Sequence, residues 1–281
     1  MSVPPKLISE NRCFDGIVGF YSHRSETCNS EMRFAVYQPP QATSPVPVLY
    51  FLSGLASTEE NFMVKAGAQR FAAKYGLMLV APDTSPRNTG INGEDNDWDL
   101  GNGASFYVDA TAEPWRSHYQ MYSYVVHELP TLIAEHFPVQ AQRQGIFGHS
   151  MGGHGALICA LRNPGLYKSV SAFAPITAPI RCPWGQKAFS HYLGSDKESW
   201  CAYDASVLVR EAGYNRPILI DQGTADQFLA EQLLPDVFEQ ACAAVGQPLT
   251  LRFHEGYNHS YYFITTLIED HIRHHATALC D

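Results

Sequence analysis

With 281 residues, 45% of them hydrophobic and 17% charged, the chain has apolar material for a sizeable core, and residues 1–281 are expected to form one domain. A formal net charge of −9 without any basic run argues against a nucleic-acid surface, and an anionic ligand would need local positive groups that override the global sign. No apolar run approaches the ~20 residues of a membrane span, the N-terminus lacks a signal-like apolar core, and the seven scattered cysteines include no C-x-x-C pair, so a cytoplasmic location is expected.

The first fifty residues read as antiparallel β structure. Asn11 to His23 carries apolar alternation broken by glycines, and Glu31 to Tyr37 alternates in period two until Pro39-Pro40 ends it. Val46 to Leu52 is an apolar strand followed by Ser53-Gly54-Leu55, a helix is expected over 61–75, and Leu77 to Ala81 is a second buried strand. Continuous apolar strands alternating with helices imply a parallel sheet covered on both faces. Residues 84–118 are polar and Gly-rich around Trp98 and Trp115, too long for an idle connection, and are expected to rim a site. Residues 121–137 have helical periodicity, with Pro130 either kinking the helix or marking its first turn. Further strands are expected at 143–147, 170–175, 217–221 and 249–253, with helices at 155–162, 229–244 and 261–278 and a mixed insertion at 176–214.

One motif stands out: Gly148-His149-Ser150-Met151-Gly152, a G-x-S-x-G sequence between a short strand and a helix. A serine on so sharp a turn takes a strained conformation, and glycines two residues either side relieve the collisions it causes. The following helix aims unpaired N–H groups and its positive dipole end at the serine oxygen. Strand, tight turn and helix are the context the motif requires.

A serine hydroxyl becomes a useful nucleophile only when a base takes its proton, and a carboxylate must orient that base. In α/β-hydrolases the chain order is serine, acid, histidine, each beyond the C-terminal end of a strand. Asp226 lies past the glycine turn after the 217–221 strand, from where it can reach a histidine; the rival, Asp221, ends the strand itself and suits a buried structural hydrogen bond. Of twelve histidines, only His259 occupies the loop between the last strand and the last helix. His254 falls in a strand pattern, and His271, His274 and His275 lie on the terminal helix as surface or packing residues. Two backbone donors are needed for an oxyanion hole, and Met151 and Leu55 are the candidates. His149 and His154 flank the serine, but no carboxylate or cysteine completes a metal site around them; they read as packing residues, with His149 kept as a candidate substrate contact. No phosphate-binding or dinucleotide-binding glycine motif occurs, and no cofactor or metal is implied.

Longer stretches carry a closer likeness. Leu52-Ser-Gly-Leu55 with Glu60-Asn-Phe62, Ala81 through Arg87, Gly148 through Leu157, Pro183 through Phe189 and His259-Ser-Tyr-Tyr-Phe263 resemble the S-formylglutathione hydrolases, the esterase D family. Phe106 through Thr111, Glu113-Pro-Trp115 and Tyr119 through Tyr122 extend the resemblance over nearly the whole chain. It implies an α/β-hydrolase fold, with a mostly parallel central sheet, helices on both faces and an antiparallel N-terminal edge. It also implies a cytosolic, commonly homodimeric enzyme that cleaves S-formylglutathione to formate and glutathione in formaldehyde detoxification. Ser150, Asp226 and His259 map onto the family's nucleophile, acid and base, and Leu55 and Met151 onto its oxyanion donors.

Many members carry Thr-Cys after Ser-Gly-Leu, and that cysteine makes them sensitive to thiol reagents; this chain has Ala56-Ser57 instead. Glutathione presents two carboxylates and one ammonium, for which Lys65, Arg87 and Lys187 are candidate partners, with Trp98, Trp115 and Trp184 as candidate apolar walls. The competing readings are a general carboxylesterase or acyltransferase on the same triad, and a catalytically silent hydrolase fold used for binding. The intact serine, acid and histidine count against the second.

Overall fold

The structure, a computed structural model, describes residues 3–280. Among these described residues, nine strands form one sheet in the order β1-β2-β3-β5-β4-β6-β7-β8-β9. β1 (Lys6–Cys13), β2 (Gly16–Ser25) and β3 (Ser30–Gln38) form an antiparallel meander, and β3 also meets β5 (Met78–Pro82) antiparallel. From β5 onward, β4 (Val46–Leu52), β6 (Val139–His149), β7 (Val170–Phe173), β8 (Ile218–Gly223) and β9 (Leu249–His254) are all parallel. The outermost β1 is exposed along almost its whole length, and Lys6, Glu10 and Arg12 place charges on an edge that would otherwise invite pairing. The central strands β4, β5 and β7 are buried at every position, as expected of strands covered on two faces.

The α-helical segments of the described residues that accompany the sheet are α1 (Glu59–Lys65), α2 (Gln69–Tyr75), α3 (Met121–Ser123), α4 (Leu129–His136), α5 (Met151–Arg162), α6 (Pro183–Tyr192), α7 (Lys197–Trp200), α8 (Ala205–Ala212), α9 (Pro235–Val245) and α10 (Tyr261–Cys280). The alternation along β4 shows how they divide. Leu49 crowds the same side of Gly145 as His275 of α10, whereas Leu52, on the opposite face, reaches Gly155 of α5. α2 packs with α10, and α5 with α8. The long α10 buries Phe263, Ile264, Ile268, His271, Ile272, His275 and Leu279, a stripe of helical period.

Three expected elements differ in form. The helix over 61–75 is two helices, because Gly67 takes φ 66° between α1 and α2. Residues 121–137 open with α3 and a π-helical turn, Tyr124–Glu128, before α4. Pro130 lacks the N–H that an ordinary ladder needs there, so it stands in the first turn of α4. Pro235 likewise starts α9 after left-handed Leu234 (φ 52°), which cuts the expected 229–244 helix into a π turn and a helix. Residues 84–118 contain little regular structure, but Phe106, Tyr107 and Val108 within them are fully buried and anchor the segment.

The terminal-helix histidines are packing residues of an unexpected kind. His271 and His275 are fully buried; His275 meets Ser169 Oγ at 2.7 Å and Ser171 Oγ at 2.8 Å, and His271 meets Asp221 at 3.0 Å. These bonds tie α10 to β7 and β8, and they satisfy polar groups that would otherwise be costly to bury. The surface alternative does not apply to these two.

Candidate active site

Because the strands from β5 to β9 run parallel, their C-terminal ends share one edge of the sheet. Leu55 follows β4, Ser150 follows β6, Asp226 follows β8 and His259 follows β9, so residues far apart in sequence meet there.

Ser150 occupies the turn between β6 and α5 at φ 58° and ψ −120°, a conformation that side chains rarely take. The flanking glycines are demanded by contact. A Cβ at Gly148 would lie 2.2 Å from Gly152 O, and one at Gly152 would lie 1.9 Å from Leu52 O. The turn is fastened by Ser150 N–H donating to Phe173 O at 3.0 Å and by His154 N–H donating to Ser150 O at 3.0 Å. Ser150 thus stands at the first turn of a twelve-residue helix, whose leading N–H groups are directed toward it.

Asp226 and His259 are bonded to each other: Nδ1 of the imidazole lies 2.6 Å from Oδ2 of the carboxylate. Asp226 is held from two further directions. Phe228 N–H donates to Oδ1 at 2.9 Å, and Gln222 Nε2 donates to Oδ2 at 3.3 Å. An ionised carboxylate at Nδ1 favours the tautomer in which Nδ1 carries the proton, leaving Nε2 with a lone pair. The rival Asp221 is engaged elsewhere. It receives both Arg252 Nε and Nη2 at 2.6 Å and also contacts His254 and His271 at 3.0 Å, and these partners hold its carboxyl far below the usual range despite burial. This is the buried structural role its place in the strand suggested.

The strap Ser53–Ser57 crosses in front of Ser150. A Cβ at Gly54 would lie 3.1 Å from the Ser150 Cβ, so only glycine permits this approach without displacement. Tyr107 Oη donates to Ser53 O at 2.9 Å, and Ala56 N–H donates to Gly103 O at 2.9 Å, which brings the irregular 84–118 segment into the support of the site.

Together these pieces enclose a cleft of about 340 Å³ lined by the strap, His149, Ser150 and His259. One wall is aromatic. Trp98 and Trp184 meet edge to face at 5.5 Å, Trp184 packs on Phe228 at 4.6 Å, and Phe228 on His259 at 5.1 Å. Lys65 also lines the cleft, with its ammonium 5.6 Å above the Tyr261 ring. His149 is buried against His259 with ring centroids 4.4 Å apart, and its Nε2 has no hydrogen-bond partner. Burial and the neighbouring His259 push its pKa well down, so His149 is neutral. His154 packs between Phe106 and Phe189 with Nε2 2.9 Å from Phe106 O, away from the cleft.

Three of the expected substrate contacts do not reach the cleft. Arg87 is paired with Asp83 and faces a separate cavity behind the strap. Lys187 is folded onto Asp99 at 2.6 Å and Asp97 at 3.1 Å, so its own charge is engaged away from the cleft. Trp115 is buried against Tyr119 and Tyr192 at 4.8 and 5.2 Å as a fold residue. Phe228 and Tyr261, which do line the cleft, were not singled out from the sequence. A usable signal existed: each lies two residues beyond a candidate catalytic residue, Phe228 in the same loop and Tyr261 at the start of α10.

Comparison with known proteins identifies the family. The esterase family profile matches residues 25–274. An S-formylglutathione hydrolase of Mus musculus is 59% identical over 277 residues, covering 98% of both chains, and that of Arabidopsis thaliana is 55% identical over 97% of both. The solved structure of the S-formylglutathione hydrolase from Agrobacterium tumefaciens is 52% identical and superposes with a TM-score of 0.95 over 98% of this chain and 99% of that one. With that identity sustained over nearly the whole length, and with an α/β-hydrolase sheet, the chain belongs to the S-formylglutathione hydrolase family of esterases.

Proposed function

We propose that this protein hydrolyses S-formylglutathione to formate and glutathione, with Ser150 as nucleophile, His259 as general base and Asp226 as the carboxylate that orients it. The observation that carries the reading is the 2.6 Å Asp226–His259 bond beside a serine held on a strained strand-to-helix turn. Ser150 Oγ bonds to the thioester carbonyl carbon while its proton passes to His259 Nε2, and the carbonyl π electrons move onto oxygen. Leu55 and Met151 N–H groups receive that oxyanion, each contributing roughly 3 kcal/mol. Collapse breaks the C–S bond, and glutathione sulfur leaves with the proton from His259. A thiol pKa near ~8.5 makes it a better leaving group than an alcohol, so protonation contributes less here than in ester cleavage. A water then gives one proton to His259 and attacks the formyl carbon; the C–Oγ bond breaks, His259 returns that proton to Ser150 Oγ, and formic acid leaves and ionises to formate.

The glutathione moiety extends along the aromatic wall of Trp98 and Trp184, and Lys65 meets one of its carboxylates at the rim. In the same proposal the chain is a single domain, works as a homodimer in the cytoplasm, and consumes the thioester formed from formaldehyde. Light scattering and cell fractionation test the dimer and the location. The chemistry is tested by replacing Ser150: Ser150→Ala removes turnover and fluorophosphonate labelling together, and retained hydrolysis by purified Ser150→Ala overturns the scheme.

A further inference from the structure

Arg87 and Asp83 line a cavity of about 810 Å³ that shares no lining residue with the catalytic cleft. The strap lies between the two: Gly54 to Ser57 face the cleft, and Thr58 to Glu60 face the second cavity. Across this partition runs a chain of hydrogen bonds. The Arg87 guanidinium grips the buried Asp83 carboxylate through Nε at 2.7 Å and Nη2 at 2.9 Å, and Nη2 also donates to Ser57 O at 3.0 Å. Thr84 Oγ1 donates to the same carbonyl at 2.5 Å.

The position of Ser57 makes this grip consequential. Ser57 N–H donates to Gly54 O at 3.3 Å, closing a tight turn whose central residues are Leu55 and Ala56. Ala56 sits at φ 60°, an unfavourable value for alanine, so the turn relies on outside contacts to keep its shape. One contact is Ala56 N–H to Gly103 O; Gly103 N–H in turn donates to Ser85 Oγ at 2.8 Å, within the same Asp83–Arg87 segment. Both supports of the turn therefore lead back to residues 83–87. An oxyanion donor is effective only when it is already aimed before the charge develops.

We infer that Arg87 is a positioning residue for the oxyanion hole: held by Asp83, it anchors the Ser57 carbonyl and thereby aims the Leu55 N–H at the oxygen of the tetrahedral intermediate. This role rests on the assignment of Leu55 and Ser150 given above. It concerns the transition state, because Arg87 reaches neither the thioester nor the glutathione moiety. Lysine is a poor substitute. Its single ammonium cannot reproduce a fork that spans one carboxylate and one carbonyl.

The test is kinetic and includes chemical rescue. Arg87→Ala is expected to lower kcat by about 10- to 100-fold, part of the loss seen when one oxyanion donor is removed outright, while KM changes little. kcat is expressed per active site titrated to completion with a fluorophosphonate, so an unfolded fraction does not count. The second cavity leads to the vacated position, so guanidinium, well below denaturing concentration, restores kcat saturably, whereas methylammonium and sodium chloride do not. Where Arg87→Ala fails to fold, Arg87→Lys decides the matter through the same fall in kcat at constant KM. Wild-type kcat in Arg87→Ala or Arg87→Lys, or a loss confined to KM, overturns the inference and leaves the catalytic scheme intact. A wild-type protein that does not turn over S-formylglutathione removes the scheme itself.

Discussion

Asp226 and Asp221 lie five residues apart, yet the structure gives them opposite consequences on substitution by asparagine. In Asp226→Asn the amide can orient in two ways. With its oxygen toward Phe228 N–H, which now donates to Oδ1 at 2.9 Å, the NH₂ group faces His259 Nδ1. Nδ1 must then accept, Nε2 carries the hydrogen, and no lone pair remains to take the Ser150 proton. The flipped amide restores the tautomer but sets NH₂ against the fixed Phe228 N–H, a donor–donor contact costing about 1–3 kcal/mol, whereas the first orientation sets NH₂ against Gln222, whose side-chain amide can turn its unpartnered Oε1 to accept. The first orientation prevails, and kcat falls by about 10⁴, equivalent to about 5.4 kcal/mol of transition-state stabilisation. Asp221→Asn leaves that site alone but removes the charge facing Arg252 and His271. Breaking a buried pair costs about 3–5 kcal/mol; the lower end applies, because Arg252 keeps 34% of its side chain exposed. Steady-state kinetics paired with urea unfolding separate the two outcomes. Retention of most of the kcat by Asp226→Asn, or a kcat loss in Asp221→Asn as deep as in Asp226→Asn with its fold intact, refutes the assignment.

Other consequences follow from packing and burial. Gly152→Ala brings a Cβ to 1.9 Å from Leu52 O and 2.5 Å from Ser53 O, both backbone atoms, so soluble expression or kcat should be lost; a fully active Gly152→Ala would show that the turn can relax. None of the seven cysteines lines the cleft, and burial pushes Cys28 and Cys242 up to about 12 and Cys182 up to about 11. N-ethylmaleimide should therefore leave turnover nearly intact while mass spectrometry finds Cys280 modified, and Ser57→Cys should confer sensitivity. Burial lowers His154 from 6.5 to about 4, only partly opposed by its bond to Phe106 O. The folded state thus prefers the neutral ring; this contribution is complete above ~6.5 and declines as pH falls toward ~4, by about 3 kcal/mol in all. His154→Gln should flatten the pH dependence of unfolding free energy over that interval by about one proton, and an unchanged slope would assign the acid loss to other groups.

The parallel strands were legible because burial on two faces leaves an unbroken apolar run, as in Val46–Leu52, and the positions of Ser150, Asp226 and His259 beyond strand ends followed from their order. The different places of Asp221 and Asp226 were legible for the same reason: one lies in a buried strand, and the other lies past its glycine turn. Pairings across distant loops were not. Nothing local in Lys187 announces Asp97 and Asp99, about ninety positions earlier, and a cation neutralised by a distant segment is no longer directed at substrate. Arg87 was read for its charge, whereas the structure uses its fork geometry on a carboxylate and a carbonyl. His271 and His275 were read as surface or packing residues of the terminal helix, and only the register against Ser169, Ser171 and Asp221 shows them buried and bonded.

The central claim is that this cleft turns over a small acyl thioester of glutathione, and kcat/KM for S-formylglutathione beside S-acetylglutathione and p-nitrophenyl acetate tests it most directly. The account predicts a preference of several orders of magnitude for the formyl thioester. Comparable or better turnover of the aryl ester would contradict it, leaving a general esterase on the same three residues.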